Sequence, residues 1–220
     1  MLFSFTSVFI FALVIMRKEN LSIKPLLYIF FLSIAAIIIS ASIQSTIVFF
    51  FIGFLKRLTY TQGILFESFI GTALIEEFSK VVCFFIFVKF LSSGKTIKYD
   101  ENVPSEVRAR IRVLLFLSVF YGLTFASFET FVYIVYKGNF IWVRLFTSNF
   151  LHAALGVYYL QISMSKEYKK TAALFFSASV LHGLYNMFLS MGIFFSVFAG
   201  VIVLFSIGNA IKQYNNCKEN

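Results

Sequence analysis

The chain has 220 residues, 60% of them hydrophobic and 32 of them Phe, with a formal net charge of +9. A soluble domain of this length is about 45–50% apolar, so the composition excludes a water-soluble globular fold and points to an integral membrane protein. The positive charge does not indicate nucleic acid, because the basic residues sit in short loops between apolar runs, where they set topology and meet anionic headgroups.

Apolar runs fall at 2–16, 25–55, 64–91, 112–136, 140–164, 171–190 and 193–212. A spanning helix needs about 20 residues, so the first run is short. It has no basic segment before it and no small-residue cleavage site after it, and reads as a retained helix rather than a signal peptide. The run 25–55 is long for one straight crossing, and its polar middle, Ser40 to Thr46, is where a bend would form. Pro25 opens that run, where a helix tolerates proline, and Pro104 lies in a loop. Cys83 lies in an apolar run and Cys217 in the polar tail, so no disulfide is expected.

Loop charge decides whether 25–55 crosses once. With one crossing, Arg17, Lys18, Lys24, Lys95, Lys98, Arg108, Arg110, Arg112, Lys166, Lys169, Lys170, Lys212 and Lys218 share one side. Lys56, Arg57 and Lys137 lie on the other, with Arg144 just inside the next helix and expected to snorkel to the interface. By the positive-inside rule the larger set is cytoplasmic. The expectation is one all-α domain over 1–220, a polytopic membrane helix bundle of about seven transmembrane helices. Its N-terminus is outside, its C-terminus is cytoplasmic, and 92–111 is the largest cytoplasmic loop.

Into this apolar background the sequence sets Glu76, Glu77, Lys80, Glu129, His152, His182 and Asn186, all inside the runs. A charged side chain at the centre of a spanning helix costs about 2.5–3.5 kcal/mol on insertion scales. At 1.5 Å per residue, Glu76 and His152 lie roughly 18 Å below the outer surface, and Glu129 and His182 roughly 10–12 Å below it. Residues four apart share a helix face, which pairs Glu76 with Lys80, Phe125 with Glu129, His152 with Gly156 and His182 with Asn186. Gly156 would let a neighbouring helix or a substrate backbone approach. Taken singly, each motif also reads as an internal ion pair or a polar helix contact, and Glu67 as an interfacial residue. Together, at one depth, they read as an active or ion-binding site.

Carboxylates and histidines without an activated serine suit a reaction that uses water. A glutamate serves as general base, and His and Asn can donate to a developing oxyanion. Two histidines with a glutamate also make a zinc site, so zinc or no metal both stay open. No His-Glu-x-x-His and no Gly-x-Ser occurs, and the only aspartate, Asp100, lies in a loop, which excludes a membrane aspartyl dyad.

Glu76-Glu77-Phe-Ser-Lys80, Phe125-Ala-Ser-Phe-Glu129, His152-Ala-Ala-Leu-Gly156 and His182-Gly-Leu-Tyr-Asn186 follow in order on successive runs. This set resembles the PrsW family of intramembrane proteases, related to the CAAX-prenyl endopeptidases and bacteriocin-processing proteins. The larger group carries Glu-Glu-x-x-x-Arg and Phe-x-x-x-His, where this chain has Glu-Glu-x-x-Lys and Phe-x-x-x-Glu. The resemblance implies a catalytic core over about 64–190 in a bacterial cell membrane. It implies first-site cleavage of a single-span partner, such as an anti-sigma factor, on its extracytoplasmic side. It also implies Glu76 as base, Glu129 as its partner, and His182 and Asn186 as oxyanion donors. Glu77 would orient the helix or Lys80, and His152 would supply an imidazole where the larger group has one. The alternative is an ion- or proton-coupled transporter, since buried acids and histidines also build proton relays. A non-enzymatic membrane scaffold is a third reading.

Overall fold

The structure is a computed structural model that describes residues 2–91, 105–136 and 141–216. Most of the expected cytoplasmic loop, with Lys95, Lys98, Asp100 and Pro104, lies outside the described residues. So do Lys137, Cys217, Lys218 and the side chain of Arg108.

Among the described residues the chain forms seven helical rods and no strand. They are α1 (Leu2–Lys18), α2 (Ile23–Leu55), a continuous rod of α3 (Tyr60–Leu65), a π-helical segment (Phe66–Leu74) and α4 (Ile75–Leu91), then α5 (Ser105–Tyr136), α6 (Ile141–Met164), α7 (Tyr168–Ser190) and α8 (Ser196–Asn216). The run 25–55 is one unbroken helix whose polar middle turns its hydroxyls onto its own backbone. Ser40 donates to Ile37 O at 3.0 Å, Ser42 to Ile38 O at 2.8 Å and Thr46 to Ser42 O at 2.8 Å. That back-bonding removes the need for outside partners. The rod beginning at Tyr60 starts on a capping box. Gln62 N donates to Thr59 Oγ1 at 3.4 Å, and Thr59 N donates to Gln62 Oε1 at 3.0 Å, so two orphan amides are satisfied reciprocally. The chain turns from α7 into α8 at Gly192, where φ is +106°.

Three helices, α2, α5 and α7, are long and apolar enough to cross a membrane. Large apolar side chains point outward, Phe49, Phe90 and Phe194 each at least 75% exposed. So extensive an apolar surface suits lipid rather than water.

The apolar stretch of α5 is 72% buried against 28% for α2 and 33% for α7, so α5 is the central helix. It packs against α1, α2 and α6, while α6 also meets α4, α7 and α8. Small residues make the α5–α6 contact close. A Cβ on Gly122 would meet the carbonyl of His152, and one on Gly156 would meet the carbonyl of Ser118. The expected close approach at Gly156 is therefore made by a neighbouring helix. The pairings 118 with 156 and 122 with 152 run oppositely along the chain, so the two helices are antiparallel. Both obstructions are backbone and cannot rotate away. Gly122→Ala is expected to cost about 1–3 kcal/mol, read as a lower unfolding midpoint in detergent.

Candidate functional site

Four helices bring the expected polar residues to one place. Glu76, Glu77 and Lys80 come from α4, Glu129 from α5, His152 from α6, and His182 with Asn186 from α7. All are buried, with Glu77, Lys80, His152 and His182 at zero exposure. One ligand-type atom from each of Glu76, Glu129, His152 and His182 lies within 4.8 Å of all the others. Glu67, by contrast, is exposed on the π-helical segment.

The charges are arranged in alternation. Lys80 Nζ donates to Glu77 Oε1 at 2.8 Å and lies 3.4 Å from Glu76 Oε2. It also sits 3.2 Å from His152 Nδ1 and 3.9 Å from the centre of the Phe125 ring. Glu77 accepts further bonds from Tyr159 Oη at 2.7 Å and His182 Nδ1 at 2.9 Å. Glu129 is bound by the Arg144 guanidinium, by His152 Nε2 at 3.0 Å and by Ser148 Oγ at 3.3 Å. Buried charge is tolerated here because each charge meets an opposite one and its lone pairs are filled by hydrogen bonds.

Glu76 differs from the other two acids. It is held loosely, by Lys80 at 3.4 Å and Gln44 Nε2 at 3.5 Å. His182 Nε2 lies 3.9 Å from Glu76 Oε2. That gap is too long for a hydrogen bond and short enough for one water to bridge. Next to it, His182 Nε2 and both amide atoms of Asn186 are buried without a protein partner. Buried polar atoms left open in this way are costly, and these three share one face of α7. The geometry also bears on the donor role expected for His182. With its Nδ1 proton given to Glu77, the neutral ring presents a lone pair at Nε2 and becomes a donor there only when doubly protonated.

Four participants were missed by the sequence reading: Gln44, Arg144, Ser148 and Tyr159. Arg144 does not snorkel. It is 8% exposed, pairs with Glu129 and stacks on the Tyr133 ring at 3.7 Å. A buried acid within reach outcompetes the headgroup region for a guanidinium. The signal was present: Arg144, Ser148 and His152 are spaced by four along α6, and all three contact Glu129.

The same cluster can be tested against a zinc ion. His182 fits, since a ring nitrogen held by a carboxylate with the other one free is the arrangement of a metal-ligating histidine. Glu76 and Glu129 offer oxygens beside it. His152 fits less well, because its Nε2 could bind metal only if its proton moved to Nδ1, against the Lys80 ammonium 3.2 Å away. A zinc ion would therefore be held by Glu76 and His182, with Glu129 nearby but already bound by Arg144, Ser148 and His152.

No family model, curated protein or solved structure matches the chain.

Proposed function

We propose that the chain is an intramembrane protease that hydrolyses a peptide bond of a membrane-anchored protein with water activated by Glu76. The observation that carries this reading is the contrast among the acids. Glu77 and Glu129 are saturated by cations and hydrogen bonds, while Glu76 is loosely held and faces three open polar atoms on α7.

In this reading Glu76 takes a proton from a water that sits beside it and His182 Nε2 and touches both. The oxygen attacks the peptide carbonyl, and Asn186 Nδ2 donates to the oxyanion. His182 Nε2, whose lone pair is open, accepts a hydrogen bond from the same water and orients it. Collapse breaks the C–N bond, and Glu76 returns its proton to the leaving amine. If zinc is bound, it acidifies the water, and the same residues align the peptide. The ordered motif set that resembles the PrsW family supports this assignment. It extends to seven spans, an N-terminus outside, a cytoplasmic C-terminus, a bacterial cell membrane and an anti-sigma-type single-span substrate cut on its extracytoplasmic side.

The test is reconstitution in lipid vesicles with a single-span substrate, with products identified by mass spectrometry. Cleavage is expected, and His182→Ala is expected to abolish it in a protein that still folds. Ion flux through protein-only vesicles, lost on Glu129→Gln and without any proteolysis, would establish the transporter instead. Metal dependence is read separately. Chelation that stops cleavage, with about one zinc per chain by elemental analysis, assigns the metal form, and full activity in metal-free protein assigns glutamate and water alone.

A further inference from the structure

The site holds both histidines of the chain, packed edge to face with ring centroids 4.7 Å apart, yet their surroundings are opposite. His182 gives Nδ1 to a carboxylate, Glu77, and leaves Nε2 open. His152 gives Nε2 to a carboxylate, Glu129, and sets Nδ1 3.2 Å from the Lys80 ammonium. An ammonium has only protons to offer, so Nδ1 of His152 must be the acceptor and Nε2 the protonated nitrogen. A second proton on this ring would face Lys80 head-on.

Lys80 sets the tautomer of His152, and the far side of Glu129 sets where the ring sits. Arg144 binds Glu129 Oε1, which leaves Oε2 to His152 and Ser148. The guanidinium is itself held by stacking on Tyr133 at 3.7 Å. Arg144, Glu129, His152, Lys80 and Glu77 thus form one chain of alternating donors and acceptors ending at His182. We propose that Arg144 is a positioning residue: by binding Oε1 of Glu129 it turns Oε2 to His152 and holds that ring, in the Nε2–H form that Lys80 imposes, against the Nδ1–H ring of His182. Glu129 and His152 then form a fixed wall, and the reacting groups are Glu76, His182 and Asn186. The assignment of reacting groups rests on the protease reading; the tautomers do not.

Two histidines make the test direct. In protein labelled with 15N at histidine, two ring systems are seen, and His182→Asn assigns them by removing one. The expected wild-type result is one ring protonated at Nε2 (His152) and the other at Nδ1 (His182). Arg144→Gln is expected to keep the Nε2–H tautomer but to shift the His152 Nε2–H resonance as Glu129 is released, and to lower kcat by about a hundredfold, the scale for a misaligned site, with KM little changed. Arg144→Lys, which keeps the charge, should retain the wild-type ring-proton resonance and much of the rate. If Arg144→Gln misfolds because Glu129 is left unpaired, the double variant Arg144→Gln/Glu129→Gln removes both charges. It should fold and still show a shifted His152 ring-proton resonance. A wild-type His152 protonated at Nδ1, or an Arg144→Gln protein with unchanged ring spectra and kcat, overturns the proposal. If no peptide is cut by any form, the ring spectra still decide the tautomers, and the protease reading alone falls.

Discussion

Glu76→Gln is expected to reduce cleavage by about 10²–10⁴-fold, the range for loss of a general base, while leaving the fold intact. The two halves of that expectation have separate origins. The amide cannot take a proton from water, so the chemical step is lost. The fold survives because the contacts of Glu76 are weak ones, at 3.4 Å to Lys80 and 3.5 Å to Gln44, and glutamine fills the same volume. A single-turnover assay with excess enzyme separates chemistry from product release. A Glu76→Gln protein that cuts at the wild-type rate would remove Glu76 from the mechanism, and with it the central step of the proposal.

The neighbouring acid should behave in the opposite way. Glu77→Ala is expected to cost about 3–5 kcal/mol of stability, the scale for stripping one partner from a buried ion pair. Lys80 has zero exposure and would keep Glu76 at 3.4 Å as its one acid, beside the neutral His152 Nδ1 at 3.2 Å. Tyr159 and His182 would each lose an acceptor at 2.7 and 2.9 Å. The expected readout is low yield or a much lower melting point in detergent. Glu77→Gln with Lys80→Met removes both charges and should regain most of that stability, because a neutral, packed replacement of a buried pair is often close to neutral. It should not regain activity, since His182 would no longer have a carboxylate to fix its ring. Recovery of cleavage in the double variant would show that Glu77 serves only the fold.

This contrast between two adjacent glutamates marks where sequence reading reaches and where it stops. Hydropathy located all seven rods, because an apolar run of this length is a strong signal. The single helix over Ile23–Leu55 followed from loop charge. Spacing by four placed Lys80 with Glu76 and His182 with Asn186 on shared faces, as observed. It did not separate Glu76 from Glu77, because they are neighbours in sequence and their difference is made by other helices. Tyr159 and His182 reach Glu77, whereas Glu76 meets the open face of α7. Arg144 was misplaced because its position near a helix end was weighed without its spacing from Ser148 and His152. The π-helical turns over Phe66–Leu74 left no readable mark, since the apolar run continues through them.

Those wide turns have a consequence for how the site could have arisen and how it can be altered. Each residue of an α-helix rotates the next side chain by about 100° (3.6 residues per turn), and a π turn holds one residue more. The segment therefore works as an angular offset within the rod. It lets Phe69 lie where a Cβ on Gly183 would go, next to His182, while the acid pair further along faces inward. Deleting a single residue between 66 and 74 would return the rod to ordinary winding with Glu76 and Glu77 facing the same way, whereas rewinding the segment with no deletion would swing both by about 100° without changing any of their side chains. The phase of one helix, set over the nine residues Phe66–Leu74 that end just before the base, is thus as much a part of the site as the acids it aims.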